Sequence, residues 1–333
     1  MMRARITGTG MWVPERVVTN ADLEKLMDTS DEWIRQRSGI VERRFVSEGE
    51  TPALLAERAA RQALEAAGLE PGDVDCIILA TLSGHAEFPG TSFFLHEALG
   101  LDDTPCFDLH AQCTGFVYSL GVANSFVRSG QFRRVLVLGC EVHSTGIELA
   151  TRGRDVAVLF GDGAGAVVVE ANPDPEDPSG ILAVQLHAEG RYARKLWIEA
   201  PGSGHPQRLT PEMLAEGRHY PKMEGRFVFK HAVTRMPEVL REALEVAGTK
   251  LEDVDLFLFH QANLRINEYV AGQLGIPESK FLNNIQRYGN CSAGSIPILL
   301  AEAVASGRLA PGRVVSMTAF GSGFSWGSVV ARW

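Results

Sequence analysis

The chain has 333 residues, a net charge of −9, and 45% apolar against 22% charged residues. That is ordinary globular composition, with enough chain for two packed halves or two domains, and an acidic balance that argues against a general nucleic-acid or acidic-surface role. No apolar run approaches the roughly 18 residues that span a bilayer, and residues 1–10 carry no apolar segment of the signal-peptide kind, so a soluble cytoplasmic protein is expected.

Taken in chain order, the first clear unit is LEAAGLEPGDVDCIILA at 64–80. It reads as a helix end with glycine near its C-terminus, a polar turn, then a buried strand. CFDLHAQ follows, strand-like, and runs into Cys113. A helical stretch then extends from Thr114 to the Ser129-Gly130 stop, and RRVLVLG is a strand. DVAVLF is read as strand-like. It leads through the glycine loop Phe160–Ala166 into another strand, AVVVE. That loop is GxGxG with no helix after it, so dinucleotide binding is not expected and a tight turn is. Asp162 within it is expected to bond backbone rather than titrate.

ANPDPEDPSG at 171–180 is the natural joint, so the halves are taken as 1–175 and 176–333. Residues 244–260, LEVAGTKLEDVDLFLFH, repeat 64–80 at a constant offset of 180, with 7 of 17 positions identical. FLNNIQRYGN then leads into Cys291. A helix runs to Ser306-Gly307, and GRVVSMTAF is a strand before the loop Phe320–Phe324. Strand, helix, strand in both halves predicts α/β layers. Between them, Arg218, Lys222, Arg226, Lys230 and Arg235 face the single acid Glu224. This is a basic stretch or an ordinary solvated helix face.

The five cysteines, Cys76, Cys106, Cys113, Cys140 and Cys291, show no CxxC pair and no zinc-like spacing. Free thiols are therefore expected, with no metal and no disulfide framework. Cys113 stands out because a thiol opening a helix feels the positive end of the dipole, which favours the thiolate and makes it a candidate nucleophile. His260 ends an apolar strand, where an imidazole can donate, accept or transfer a proton. Asn290 reads as an N-cap in Tyr-Gly-Asn-Cys. His110, three residues before Cys113, reads as structural. In α/β folds sites gather at strand carboxyl ends, so two related halves could bring Cys113, His260 and Asn290 together.

Together TSDEWIRQRSGIVERR (29–44), the Cys-Thr-Gly-Phe at 113, VLFGDGAGA, HQAN (260–263), YGNCSAGSIP and FGSGFSWG resemble the ketoacyl-acyl-carrier-protein synthase III family of the thiolase superfamily. The resemblance covers nearly the whole chain. It implies a homodimer whose subunits have two thiolase-like halves in α, β, α, β, α layers. It implies a condensing acyltransferase with no cofactor beyond the CoA of its substrate. Acyl-CoA would acylate Cys113, and malonyl-acyl-carrier-protein would then decarboxylate and condense, starting fatty acid synthesis. His260 and Asn290 would hold the enolate, and the backbone of Cys113 and Ser322 the oxyanion. Trp33, Arg37, Arg154 and Asn263 would hold CoA. Phe88 would bound the acyl pocket across the dimer and favour a short acyl group. Lys230 and Arg265 would dock the carrier protein. Departures are His110-Ala-Gln112 before the cysteine, Ser322 for a central glycine, Cys291 after Asn290, and a long loop from Gly190 to Tyr220. They keep open a specialised-pathway synthase, or an acyltransferase of the same superfamily, with another donor or acceptor.

Overall fold

The computed structural model describes residues 3–333. Two sheets dominate. The first has the order Ala4–Trp12, Gly163–Ala171, Arg134–Glu141, Cys76–Ala80, Cys106–Leu109. The second has the order Gly180–Ala188, Ser325–Arg332, Val314–Gly321, Leu256–Phe259. Both run antiparallel, antiparallel, then parallel from their outer long strand inward. The fifth strand of the second sheet survives only as a parallel bridge from Phe257 to Phe281.

Alternation along each strand explains the layering. In the first sheet, Ile77, Leu79, Leu136 and Leu138 point outward onto the helix Pro52–Ala67. Cys76, Ile78, Val135 and Val137 point inward onto the helices Gly115–Ser129 and Ser295–Ala305. Those two helices share one core with Leu256, Leu258, Val315 and Met317 of the second sheet. Phe257, Phe259 and Val330 face the other way, onto Gly225–Ala247 and Leu264–Leu274. The result is α, β, α, β, α, the thiolase-like α/β layering expected.

Local signals set the helix ends. Thr51 caps Pro52–Ala67 by accepting from the Leu54 N–H, proline takes the first turn, and Gly68 closes it at φ 68°. Gly248 closes Gly225–Ala247 at φ 62°, the same position after an offset of 180. That offset recurs in the turns Gln112–Thr114 and Ser292–Gly294 and in the strands Arg134–Glu141 and Val314–Gly321.

Three sequence expectations need correction. DVAVLF is not a strand: Arg154–Ala157 is a short helix, and Phe160 contributes only an isolated bridge to Asn290. FLNNIQRYGN is not a strand either, since Ile285–Tyr288 is a helical turn. The counterpart of Cys113 is therefore Ala293, not Cys291. DVAVLF is a short, mostly apolar run, which looks alike in either state, and its Val156, Ala157 and Val158 pack in one core with Leu23, Ile34 and Ile285.

The glycine loop is a tight packing device. A Cβ on Gly165 would lie 2.6 Å from the Ile298 nitrogen, and one on Gly161 would overlap the Tyr288 carbonyl. Gly139, in the strand Arg134–Glu141, likewise lies under the Ala293 carbonyl. Gly139→Ala is expected to cost at least about 2 kcal/mol by overpacking. Denaturant unfolding would show a lower midpoint with an unchanged m-value.

Candidate active site

The nucleophile candidate sits on strained backbone. Gln112 has φ 44°, in the left-handed region that a residue with a Cβ avoids, and Ser292, its equivalent in the other half, has φ 43°. The two turns pack on each other, and the Ser292 hydroxyl donates to Cys113 Sγ at 3.4 Å. Gly321 makes room from the opposite strand: a Cβ there would lie 2.6 Å from Cys113 Cβ.

Cys113 is buried. Burial, with Glu141 adding to it, pushes its thiol up to about 11, while the Ser292 hydroxyl and the N–H groups of Cys113 and Ser322 pull it down. A helix-opening position favours the thiolate, but it leaves the resting protonation open, and here desolvation outweighs it and favours the neutral thiol. Those two N–H groups nevertheless lie where they can stabilise negative charge beside the sulfur.

His260 follows the strand Leu256–Phe259, with its N–H bonded to the Thr318 carbonyl at 2.9 Å. Its ring is 2% exposed, both ring nitrogens lack a protein partner, and burial pushes it down to about 3, so it is neutral. The neighbouring Gln261 accepts from the N–H groups of Asn284 and Ile285, which ties this segment to the turn before Asn290. Asn290 Oδ1 accepts from the Ser292 N–H at 2.8 Å, which leaves its amide NH₂ as the group available to a ligand.

Cys113, His260 and Asn290 line one cavity of about 530 Å³, together with Trp33, Arg37 and Asn263. Cys113 also lines a second cavity, of about 510 Å³, that reaches Ser322, Phe160, Trp197 and Ile198. The sulfur thus stands where two cavities meet.

The remaining expected residues fall into place unevenly. Arg37 lies 4.6 Å and Arg154 5.4 Å from the centre of the Trp33 ring, so three of the expected CoA contacts cluster at the rim. Arg154 also donates to Asp28. Asn263 caps the helix Leu264–Leu274 and donates to the Arg37 carbonyl at 2.9 Å. Arg265 spends its donors on the carbonyls of Arg35 and Gln36 and on Glu268. Lys230 is exposed on Gly225–Ala247.

The basic stretch is largely neutralised. Arg218 and Lys222 pair with Glu199, and Arg235 pairs with Glu189 and Glu238. Of the five basic residues in this stretch, Arg226 and Lys230 make no ion pair among the described residues. Phe88 is 81% exposed and lines neither cavity of its own chain.

Two features escaped the sequence. Glu141 is fully buried and pushed up by burial to about 7, and it accepts from Thr81, Leu82, Ser83 and Ala293. Ser322 Oγ donates to the Leu196 carbonyl, so the serine that replaces glycine anchors the long loop. An acidic side chain ending an apolar strand was the available signal for Glu141. Nothing local pointed to the pairing of Ser322.

Comparison with known proteins gives consistent matches. The 3-Oxoacyl-[acyl-carrier-protein (ACP)] synthase III family matches residues 107–190, and its C-terminal counterpart matches residues 244–333. The chain is 46% identical over 330 residues to the beta-ketoacyl-[acyl-carrier-protein] synthase III of Roseiflexus sp. (strain RS-1), covering 99% of this chain and 98% of that one. It is 45% identical over 332 residues to the enzyme of that name from Aquifex aeolicus, covering all of both chains. The Aquifex aeolicus crystal structure superposes with a TM-score of 0.90 over 99% of this chain and 100% of that one. The Thermus thermophilus enzyme, at 39% identity, superposes with a TM-score of 0.88 over 99% of each chain.

The raised Cys113 thiol has a direct readout. Its iodoacetamide labelling rate is expected to keep rising about tenfold per pH unit up to about pH 10. A plateau near the ordinary thiol value of about 8.5 contradicts it.

Proposed function

The chain belongs to the 3-oxoacyl-[acyl-carrier-protein] synthase III family, and on that premise we propose how its residues carry out the initiating condensation of fatty acid synthesis. The observation that carries the proposal is Cys113 at the junction of two cavities, one of them lined by His260 and Asn290.

Acyl-CoA lies with its nucleotide end at Trp33, Arg37 and Arg154 and its thioester at Cys113. Sγ attacks the carbonyl, the C–S bond to CoA breaks, and the thiol proton leaves with CoA. The acyl group stays on sulfur and extends into the second cavity. Malonyl-acyl-carrier-protein then takes the first cavity. Its C–CO₂ bond breaks, and the electron pair moves into an enolate whose oxygen takes hydrogen bonds from His260 and Asn290. A neutral imidazole with a free N–H and an amide whose oxygen is already engaged suit that task. The carbanion attacks the acyl carbon, the Cys113 and Ser322 N–H groups hold the oxyanion, and collapse expels Cys113, which regains a proton. Splitting the reaction at an acyl-enzyme is what a cysteine nucleophile offers. The chemistry calls for no cofactor and no metal.

The same reading includes a homodimer and a cytoplasmic location. The exposed rings of Phe88 and Phe93 support a partner copy over that face, and no helix among the described residues is long and apolar enough to cross a membrane. For carrier-protein docking, the unpaired charges of Arg226 and Lys230 support that edge, whereas the bonding of Arg265 within the chain makes it a structural residue first. The alternative of a specialised-pathway enzyme is not favoured by relatives of this identity and coverage.

Intact-protein mass spectrometry with acyl-CoAs is expected to show an acyl adduct on wild type and none on Cys113→Ala. His260→Ala and Asn290→Ala are expected to retain the adduct while condensation falls about 100-fold or more. Loss of the adduct in both would contradict their assignment to the second step.

A further inference from the structure

The cavity on the far side of Cys113 is not a plain hydrocarbon slot. At about 510 Å³ it falls within the roughly 300–1,000 Å³ range of small-molecule pockets. Ile147, Phe160, Trp197 and Ile198 give it apolar walls, broken by Gln112, Thr145 and three histidines, His110, His143 and His219, of which the last two hold buried ring nitrogens without a partner. His143 is 5% exposed and its Nε2 has no partner, and the buried Nδ1 of His219 also has none. Both rings are held in place: His143 lies 4.3 Å from Phe160, and His219 lies 3.9 Å from Tyr220, centre to centre.

An unpaired buried polar atom is costly and calls for a partner. No lysine, arginine, aspartate or glutamate lines this cavity, so a charged substituent would find no counter-ion there. Burial keeps His143 uncharged, with one nitrogen donating and the other accepting. A hydroxyl can do both, so it fits either tautomer. The cavity's outer wall is the long loop, pinned where Ser322 Oγ meets the Leu196 carbonyl, so the departures in this chain gather around the same space.

We propose that the second cavity selects an acyl donor bearing a hydroxyl, which pairs with His143 and His219, over the unsubstituted acyl group. This rests on reading Cys113 as the acyl acceptor, and it leaves the reaction and the carrier-protein acceptor unchanged. A site built to bond a substrate hydroxyl discriminates against the analogue lacking it, because its own polar groups are then left unpaired.

The test is competitive acylation of the full chain, read as the ratio of adducts on Cys113 by intact mass. Butyryl-CoA competes with 2-hydroxybutyryl-CoA and, separately, with 3-hydroxybutyryl-CoA. At least one hydroxyacyl donor is expected to win by about tenfold or more. His143→Leu is expected to bring that ratio to about one, and His143→Gln, which keeps a hydrogen-bonding end, to restore part of it. Equal or poorer acylation of wild type by both hydroxyacyl donors overturns the proposal without reference to any variant. Unchanged selectivity in a folded His143→Leu overturns the role of His143. If no donor, acetyl-CoA included, acylates Cys113, the proposal falls together with the reading beneath it.

Discussion

The structure depends on a backbone-on-backbone contact made twice across its centre. In the first sheet Gly139 lies beneath the Ala293 carbonyl, and in the second Gly321 lies against Cys113. Each half's strand thus receives the other half's turn, and the two turns, 112–114 and 292–294, touch each other through Ser292 and Cys113. A side chain at either glycine would hold the halves apart. The approach is close because both turns take a left-handed residue just before their central position, Gln112 and Ser292. Such conformations cost about 1–2 kcal/mol each and persist only where surrounding packing enforces them.

This closeness buries the reacting side chains, and burial sets their electrostatics. Cys113 and His260 are both held neutral by burial, with the thiol pushed up and the imidazole pushed down. A neutral pair forgoes a resting thiolate. It leaves a set of uncompensated donors, the His260 ring, the Asn290 amide and two backbone N–H groups, which gain most when negative charge appears among them. Glu141 is fully buried close by, and its hydrogen bonds to the 81–83 segment and to Ala293 tie the rim of the second cavity to the central turn. The rigidity of the site and its polarity therefore share one origin.

Charge on the outside follows a different logic. The run of basic residues at 218–235 does not form one cationic face, because Arg218 and Lys222 precede the helix and meet Glu199, while Arg235 turns toward Glu189 and Glu238. In a chain of net charge −9 this leaves a small unpaired patch, Arg226 and Lys230, of which Arg226 lies at the cavity mouth. Linear charge density gives a poor measure of surface potential when acids from distant segments fold back onto it.

Much of this was legible in the sequence, for identifiable reasons. Period-two burial, helix caps and the 180-residue repeat are local or strictly periodic. They announce the layers and put Cys113 and His260 just after strand ends, whereas Asn290 follows a helical turn. Three things were decided only by tertiary structure. DVAVLF and FLNNIQRYGN became helical turns, and Val156, Ala157 and Ile285 from the two share one core. The thiol rose rather than fell because its pKa is set by how completely other segments exclude water, which no neighbour in sequence reports. His143 and His219, 76 residues apart by number, became walls of one cavity only when the long loop folded over it. Periodicity and capping are written residue by residue, so the sequence alone determined the elements and the nucleophile's neighbourhood. Burial and the meeting of distant side chains are properties of the closed molecule, and only its folding decided them.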